Sequence, residues 1–149
     1  MRKVEVTIEI DTVPERIIQA FTEYDMLHEW WSVERALIQK RRNGIYTLAW
    51  NITDRGFGFV SSGTIRKYNA RKLLEINNFV YLNPERPILG PMSLTVKAKQ
   101  KNALTELYLC QDGYLDGDDW DWFYDSVKEA WPVVLNTLKE YLEKGFGSA

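Results

Sequence analysis

From Asp118 to Gly145 the chain reads "DDWDWFYDSVKEAWPVVLNTLKEYLEKG", and its apolar residues Trp120, Phe123, Tyr124, Val127, Trp131, Leu135, Leu138 and Leu142 recur at intervals of three or four. That spacing describes one face of an α-helix, which Gly145 can terminate. A helix with one apolar stripe has to bury it against another layer, so the rest of the chain must supply that layer. Pro132 falls inside the pattern. It removes one backbone hydrogen bond and crowds the carbonyl four residues earlier, so a kink is expected near Lys128–Trp131.

The opening stretch "KVEVTIEI" alternates Val4, Val6, Ile8 and Ile10 with Lys3, Glu5, Thr7 and Glu9, the period of a strand with one buried face. The period then changes. In "DTVPERIIQAFTEYD", Asp11 and Thr12 offer capping oxygens, Pro14 suits a first helical turn, and Ile17, Phe21 and Tyr24 share a face. Asp25 can cap a second short helix, in which Met26 and Trp30, and Leu27 and Trp31, are each four apart. After the turn "KRRNG" come "IYTLAWNI", "GFVSSGTIRKY", "KLLEINNFVYL", "SLTVKAKQ" and "ALTELYLCQD", so the chain is expected to hold roughly six strands in all. Turns are expected at Asn69–Lys72 and Lys101–Asn102, and "NPERPILGP" reads as a connection without regular period. One strand, two short helices, a run of antiparallel strands and a long last helix make an α+β pattern.

At 149 residues the chain has the size of one domain, taken as 1–149, and its 45% hydrophobic content is spread along the whole length. Disorder is excluded on that basis. No apolar run is long enough to span a bilayer and no uninterrupted apolar signal core opens the chain, so a soluble, cytoplasmic protein without membrane insertion is expected. The single cysteine, Cys110, has no partner for a disulfide or a cysteine-based metal site. A net charge of −2 gives no general attraction to nucleic acid or acidic membranes.

Four stretches carry a resemblance over nearly the whole chain: "IEIDTVPERIIQAFTEYDMLHEWW", "SGTIRKYNARKLLEINNF", "LTVKAKQKNALTELYLCQDGY" and "DDWDWFYDSVKEAWPVVLNTLKEYL". In this order they resemble the START-like (SRPBCC) superfamily, and within it the family related to the activator of heat shock protein 90 ATPase. The resemblance implies a helix-grip fold: a curved antiparallel sheet wrapped around the C-terminal helix, with a hydrophobic cavity between them. In similar proteins the tryptophan pair closes the short helices against the open end of the sheet. Trp30, Trp31, Trp50, Phe59, Phe79, Tyr81, Tyr108, Phe123 and Trp131 are therefore the candidate cavity residues, with plain core packing as the alternative for each. Indoles can wall a pocket and also donate an N–H to a polar ligand group.

Other motifs fit less well. "RGFGFVSS", Arg55 to Ser62, matches an RNA-binding strand motif except at Ser62, but the segment upstream is helical where a second aromatic strand would be needed. Gly56 and Gly58 lack the third glycine and the strand-turn-helix context of a dinucleotide fingerprint. "DGYLDGDDWD" places Tyr114 and Phe123 at calcium-ligand positions, so a solvated loop is the simpler reading, with Asp118, Asp119 and Asp121 favouring a helix N-terminus. "QKRRNG" reads as a polar hairpin or helix exit, with contact to an anion or partner as the alternative.

Catalytic candidates are few. His28 is the only histidine and no nucleophile motif accompanies it, while Cys110 on a strand reads as a small buried residue. Glu75, Glu106, Asn77, Asn78 and Tyr108 can face a cavity only if strand phase turns them inward. No metal or cofactor is implied. The expected partner is thus a small hydrophobic molecule held without defined catalysis. The alternatives are a co-chaperone-like role toward a protein partner, which the family name implies, and a cyclase-like enzyme acting on an aromatic or polyketide-type substrate. The chain is expected to be a lone domain of this kind, without the separate N-terminal domain of the eukaryotic activators.

Overall fold

The computed structural model describes residues 2–144, so the expected stop at Gly145 lies outside the described residues. β1 (Lys3–Ile10) is followed by α1 (Pro14–Thr22) and α2 (Tyr24–Trp31). Then come β2 (Arg35–Ile38), β3 (Ile45–Trp50), β4 (Phe59–Asn69), β5 (Leu73–Leu82), β6 (Leu89–Lys101) and β7 (Leu104–Asp112), and finally α3 (Asp118–Glu143). The strands form one antiparallel sheet in the order β1-β7-β6-β5-β4-β3-β2. Its concave face receives α3, as a helix-grip fold requires.

Among the described residues the sheet has seven strands where about six were expected. The addition is β2, an edge strand of four residues, too short for its alternation to stand out. β6 also starts earlier than its pattern suggests: Leu89, Gly90 and Pro91 belong to the strand, and Leu89 pairs with Tyr81. Pro91 cannot donate to the ladder and sits where the register slips between Phe79 and Tyr81, a place where a strand tolerates proline.

Curvature comes from such slips in the middle of the sheet. Pairing shifts between Ser62 and Thr64 and between Ile65 and Lys67 on β4, and again along β5 beside Asn78, whose φ is 52°. Bulges bend and twist the strands that carry them. Gly63 lies at this bend, where a Cβ would come within 2.6 Å of Ile76 Cγ2 and 2.9 Å of the Asn77 carbonyl oxygen. Only glycine lets the two strands approach so closely.

The helices start differently from the capping prediction. Val13 is the N-cap of α1 and makes no side-chain cap, so neither Asp11 nor Thr12 fills that role; Pro14 at the first turn lacks the N–H that would need one. The Asp11 N–H instead donates to Glu143 at 2.9 Å, and the Thr12 carbonyl accepts from the Thr105 hydroxyl at 2.5 Å. α2 begins at Tyr24 with Glu23 as its extended N-cap, which leaves Asp25 inside the first turn. α2 ends at Ser32 in the left-handed region, with φ 59°.

α3 continues through Pro132 to Glu143. Phe123, Trp131, Leu135, Leu138 and Leu142 bury its stripe, and the helix packs against β1 and α2. Asp118, Asp119 and Asp121 occupy its first turn, where negative charge complements the helix dipole. Arg2 clamps this end, reaching Asp121 at 2.8 Å and the Leu115 carbonyl at 2.6 Å. Among the described residues no helix is long and apolar enough to cross a membrane.

Candidate functional site

A cavity of about 500 Å³ lies between α3 and the concave face. Period-two alternation aims Tyr46, Leu48 and Trp50 of β3, Phe59 and Ser61 of β4, and Phe79 and Tyr81 of β5 into it, joined by Leu94 of β6 and Gln111 of β7. α3 contributes Trp122, Phe123, Ser126, Val127, Ala130, Trp131 and Val134, spaced by three and four. Trp31 enters from α2, and Asn51 and Asn83 stand on the loops after β3 and β5. None of the described lining residues carries a charge. The volume lies within the range of small-molecule sites.

The antiparallel registers put the loops 51–58, 83–88 and 113–117 at one end of the sheet, because Trp50 pairs with Phe59, Val60 with Leu82, Tyr81 with Leu89 and Ser93 with Asp112. Phe57, Ile88 and Leu115, one on each loop, are exposed there. Arg86 covers the Trp122 ring at 4.0 Å, a cation–π contact on the same loop cluster.

Aromatic rings form the walls. Trp31 touches three other indoles: it stacks on Trp30 at 5.0 Å, meets Trp50 edge-on at 5.1 Å, and lies tilted against Trp131 at 5.6 Å. One residue thereby ties α2, β3 and α3 together. On the opposite side Tyr81 stacks between Phe59 at 6.3 Å and Phe123 at 5.6 Å.

The polar groups of this wall are largely engaged already. The indole N–H of Trp30 donates to the Ala20 carbonyl at 2.8 Å, that of Trp50 to the Trp31 carbonyl at 3.1 Å, and that of Trp131 to Gln111 Oε1 at 2.8 Å. None of these three N–H groups is left to meet a ligand, contrary to one role the sequence suggested for indoles; of the three, Trp50 and Trp131 line the cavity. The Tyr46 hydroxyl donates to the Phe21 carbonyl at 2.6 Å, and full burial pushes its pKa upward. Burial also raises the pKa of Tyr81. Both phenols stay neutral at physiological pH.

The structure brings Trp31, Trp50, Phe59, Phe79, Tyr81, Phe123 and Trp131 together around the cavity, and excludes two other candidates. Trp30 lies behind Trp31, fixed by its bond to Ala20, and faces a shallow groove with Glu29, Thr137 and Tyr141. Tyr108 points to the convex face: its hydroxyl donates to Glu5 at 2.6 Å and Lys97 lies 5.8 Å from its ring. The bond to Glu5 is the main reason its pKa is raised.

Phase also takes Glu75 and Glu106 outward, where Lys67 and Lys101 stand 3.9 and 3.4 Å away. Asn77 accepts from Ser93, Asn78 is exposed at the bulge, and neither lines the cavity. His28 stacks on Tyr24 and bonds the Val33 carbonyl, and the Cys110 thiol, raised by burial, sits beside Tyr108. Phe59 of the RNA-like motif faces the covered side, so it offers no open stacking platform. In "QKRRNG", Lys40 pairs with Glu23 at 2.7 Å. Among the described residues no group of three or more His, Cys, Asp or Glu is arranged to hold a metal ion.

Gln111, Ser61, Tyr46 and Leu48 were missed as wall residues. Their strand phase carried a signal: Gln111 continues the inward series Leu107, Leu109, and Tyr46 and Leu48 share a face with Trp50. Trp122, Ser126 and Ala130 follow from the α3 stripe only once its angular position over the sheet is known.

A strongly bent antiparallel sheet gripping a long helix, with an apolar cavity between them, defines the SRPBCC class. Residues 11–143 match the family described as activator of Hsp90 ATPase homolog 1-like protein, and the chain belongs to that family. It is similar in fold to the Aha1 dimer from Colwellia psychrerythraea, with TM-score 0.72 and 19% identity over 98% of this chain and 99% of that one. It is similar to protein MLL2253 from Mesorhizobium loti, with TM-score 0.75 and 21% identity over 96% and 98% of the two chains. It also resembles DynU16, from the dynemicin biosynthetic locus, with TM-score 0.74 and 14% identity over 96% of this chain and 48% of that one. No curated protein matches the chain.

Proposed function

We propose that this protein binds or carries a small, uncharged hydrophobic molecule in the cavity between sheet and α3, without a defined reaction. The observation that carries this reading is a cavity of about 500 Å³ whose described lining is mostly aromatic and aliphatic, with a few amide and hydroxyl groups and no charged residue. Burying an ionic ligand there would leave its charge uncompensated, whereas a neutral apolar ligand gains from every ring it displaces water from.

The family and its neighbours support a ligand-binding or Hsp90-ATPase-activator-like module. For the second of these, the exposed Phe57, Ile88 and Leu115 at one end of the sheet offer apolar contact to a protein partner. A cyclase-like enzyme is the less supported reading: DynU16 is a protein of a biosynthetic locus, and the ionisable groups among the described lining residues are two tyrosines held neutral by burial. General acid–base chemistry near neutral pH favours groups with nearer pKa values.

The test is native mass spectrometry of the purified protein, followed by titration with benzophenone read by quenching of the cavity tryptophans. A co-purifying mass lost on denaturation, or saturable one-to-one quenching, is the expected result. A bare chain that also fails to bind benzophenone would overturn the reading.

A further inference from the structure

Gln111 is 3% exposed, lies on β7 and contributes to the cavity wall. An amide so deeply placed among hydrophobic neighbours needs partners for both its ends. Its two ends are not interchangeable here. Trp131 Nε1 can only donate, and it sits 2.8 Å from one end of the amide, so that end is the carbonyl oxygen. The amide nitrogen must therefore point the other way.

That nitrogen carries two hydrogens. Its one hydrogen-bond partner among the described residues is the Met92 sulfur at 3.7 Å, a weak acceptor. The second N–H has no partner among the described residues. Around it the wall is apolar: Leu94 is beside Gln111 in the β6–β7 register, and Trp131 stands over it from α3. A donor left open in such surroundings is an unfilled requirement, and it is selective because a ligand without an acceptor would leave it unpaired.

We propose that Gln111 reads an acceptor oxygen on the ligand, most simply a carbonyl, and that Trp131 holds the amide in the donating orientation. The ligand class is then a neutral, ring-bearing molecule whose carbonyl points inward to β7, its rings lying among Trp31, Tyr81 and Phe123. Trp131 acts on this selectivity by positioning Gln111. The assignment rests on the ligand-binding reading above and narrows it.

The test compares benzophenone with diphenylmethane, which has nearly the same shape with a CH₂ in place of the C=O. Calorimetry on the full chain should give benzophenone an advantage of about three- to tenfold, the size of one neutral hydrogen bond. Gln111→Leu should remove that advantage while diphenylmethane still binds. Trp131→Phe, which keeps a ring but frees the amide to flip, should reduce it, and guards against a misfolded Gln111→Leu. The C=O stretching band of bound benzophenone should lie lower than in apolar solvent, and return upward in Gln111→Leu. Equal affinity for both compounds in the native protein, with an unshifted band, would overturn the role of Gln111 and leave the cavity as a general apolar binder. Failure of both compounds to bind would instead count against ligand binding itself.

Discussion

Trp30 and Trp31 stack with their ring centroids 5.0 Å apart and their planes 14° from parallel, yet only Trp31 lines the cavity. Neighbouring helical residues point about 100° apart, so one indole of the pair goes to the core and the other to the wall. The stack lets the buried ring support the one that a ligand touches. Phe21 meets both rings edge-on, at 5.5 and 6.3 Å.

Separate roles imply separable mutant effects. Trp30→Ala should lower stability by about 3–5 kcal/mol, as for other large buried aromatics, measured by urea denaturation. Trp31→Ala, at a half-buried position, should lower stability less and weaken benzophenone binding more. Equal effects of the two substitutions on both readouts would contradict the division.

Gly63→Ala should destabilise by about 1–3 kcal/mol, because the new methyl group would meet Ile76 and the Asn77 carbonyl at the bend of the sheet. The denaturant midpoint checks this. An unchanged midpoint would mean that the bend relaxes without strain.

On the convex face Tyr108→Phe removes the bond to Glu5 and nothing from the cavity wall. Stability should change by less than about 1 kcal/mol, as for exposed polar pairs, and benzophenone affinity should stay at the native value. A large loss of affinity would return Tyr108 to the site.

Tyr46 should set a limit at alkaline pH. Its folded pKa is raised above the unfolded value of 10.0 by burial, so the folded state holds the proton more tightly. The stability it contributes is fully present below about pH 10 and is lost as pH rises toward the folded value, because the unfolded chain ionises first. Urea midpoints from neutral to alkaline pH should therefore fall above about pH 10. Tyr46→Phe should be about 1–2 kcal/mol less stable at neutral pH, from the Phe21 carbonyl left unpaired, but lose less on alkalinisation.

Much of the architecture was readable from periodicity. β1 announces itself because every second residue is apolar, and α3 because its stripe spans many turns. β2 was not readable, since four residues between a left-handed turn and a polar loop carry too little pattern. For the cavity, phase was more reliable than residue type. Tyr108 was picked for its ring although it is out of phase with Leu107 and Leu109, while Gln111 was passed over because it is polar although it is in phase. No such rule separates Trp30 from Trp31, because the rotation of α2 against β3 and α3 is set by tertiary packing.

The neighbour of β1 in the sheet is β7, with Val4 opposite Gln111 and Ile10 opposite Thr105. β1 is thus made before the strand that covers it, and its backbone groups wait for β7 to find partners. Until then a run of valine and isoleucine with an open edge is presented to other nascent chains. Contacts so distant in sequence slow folding, so this pairing makes closure of the sheet a late event in the chain's synthesis. The charged residues Lys3, Glu5 and Glu9, interleaved with the apolar ones, keep the waiting strand soluble during that interval.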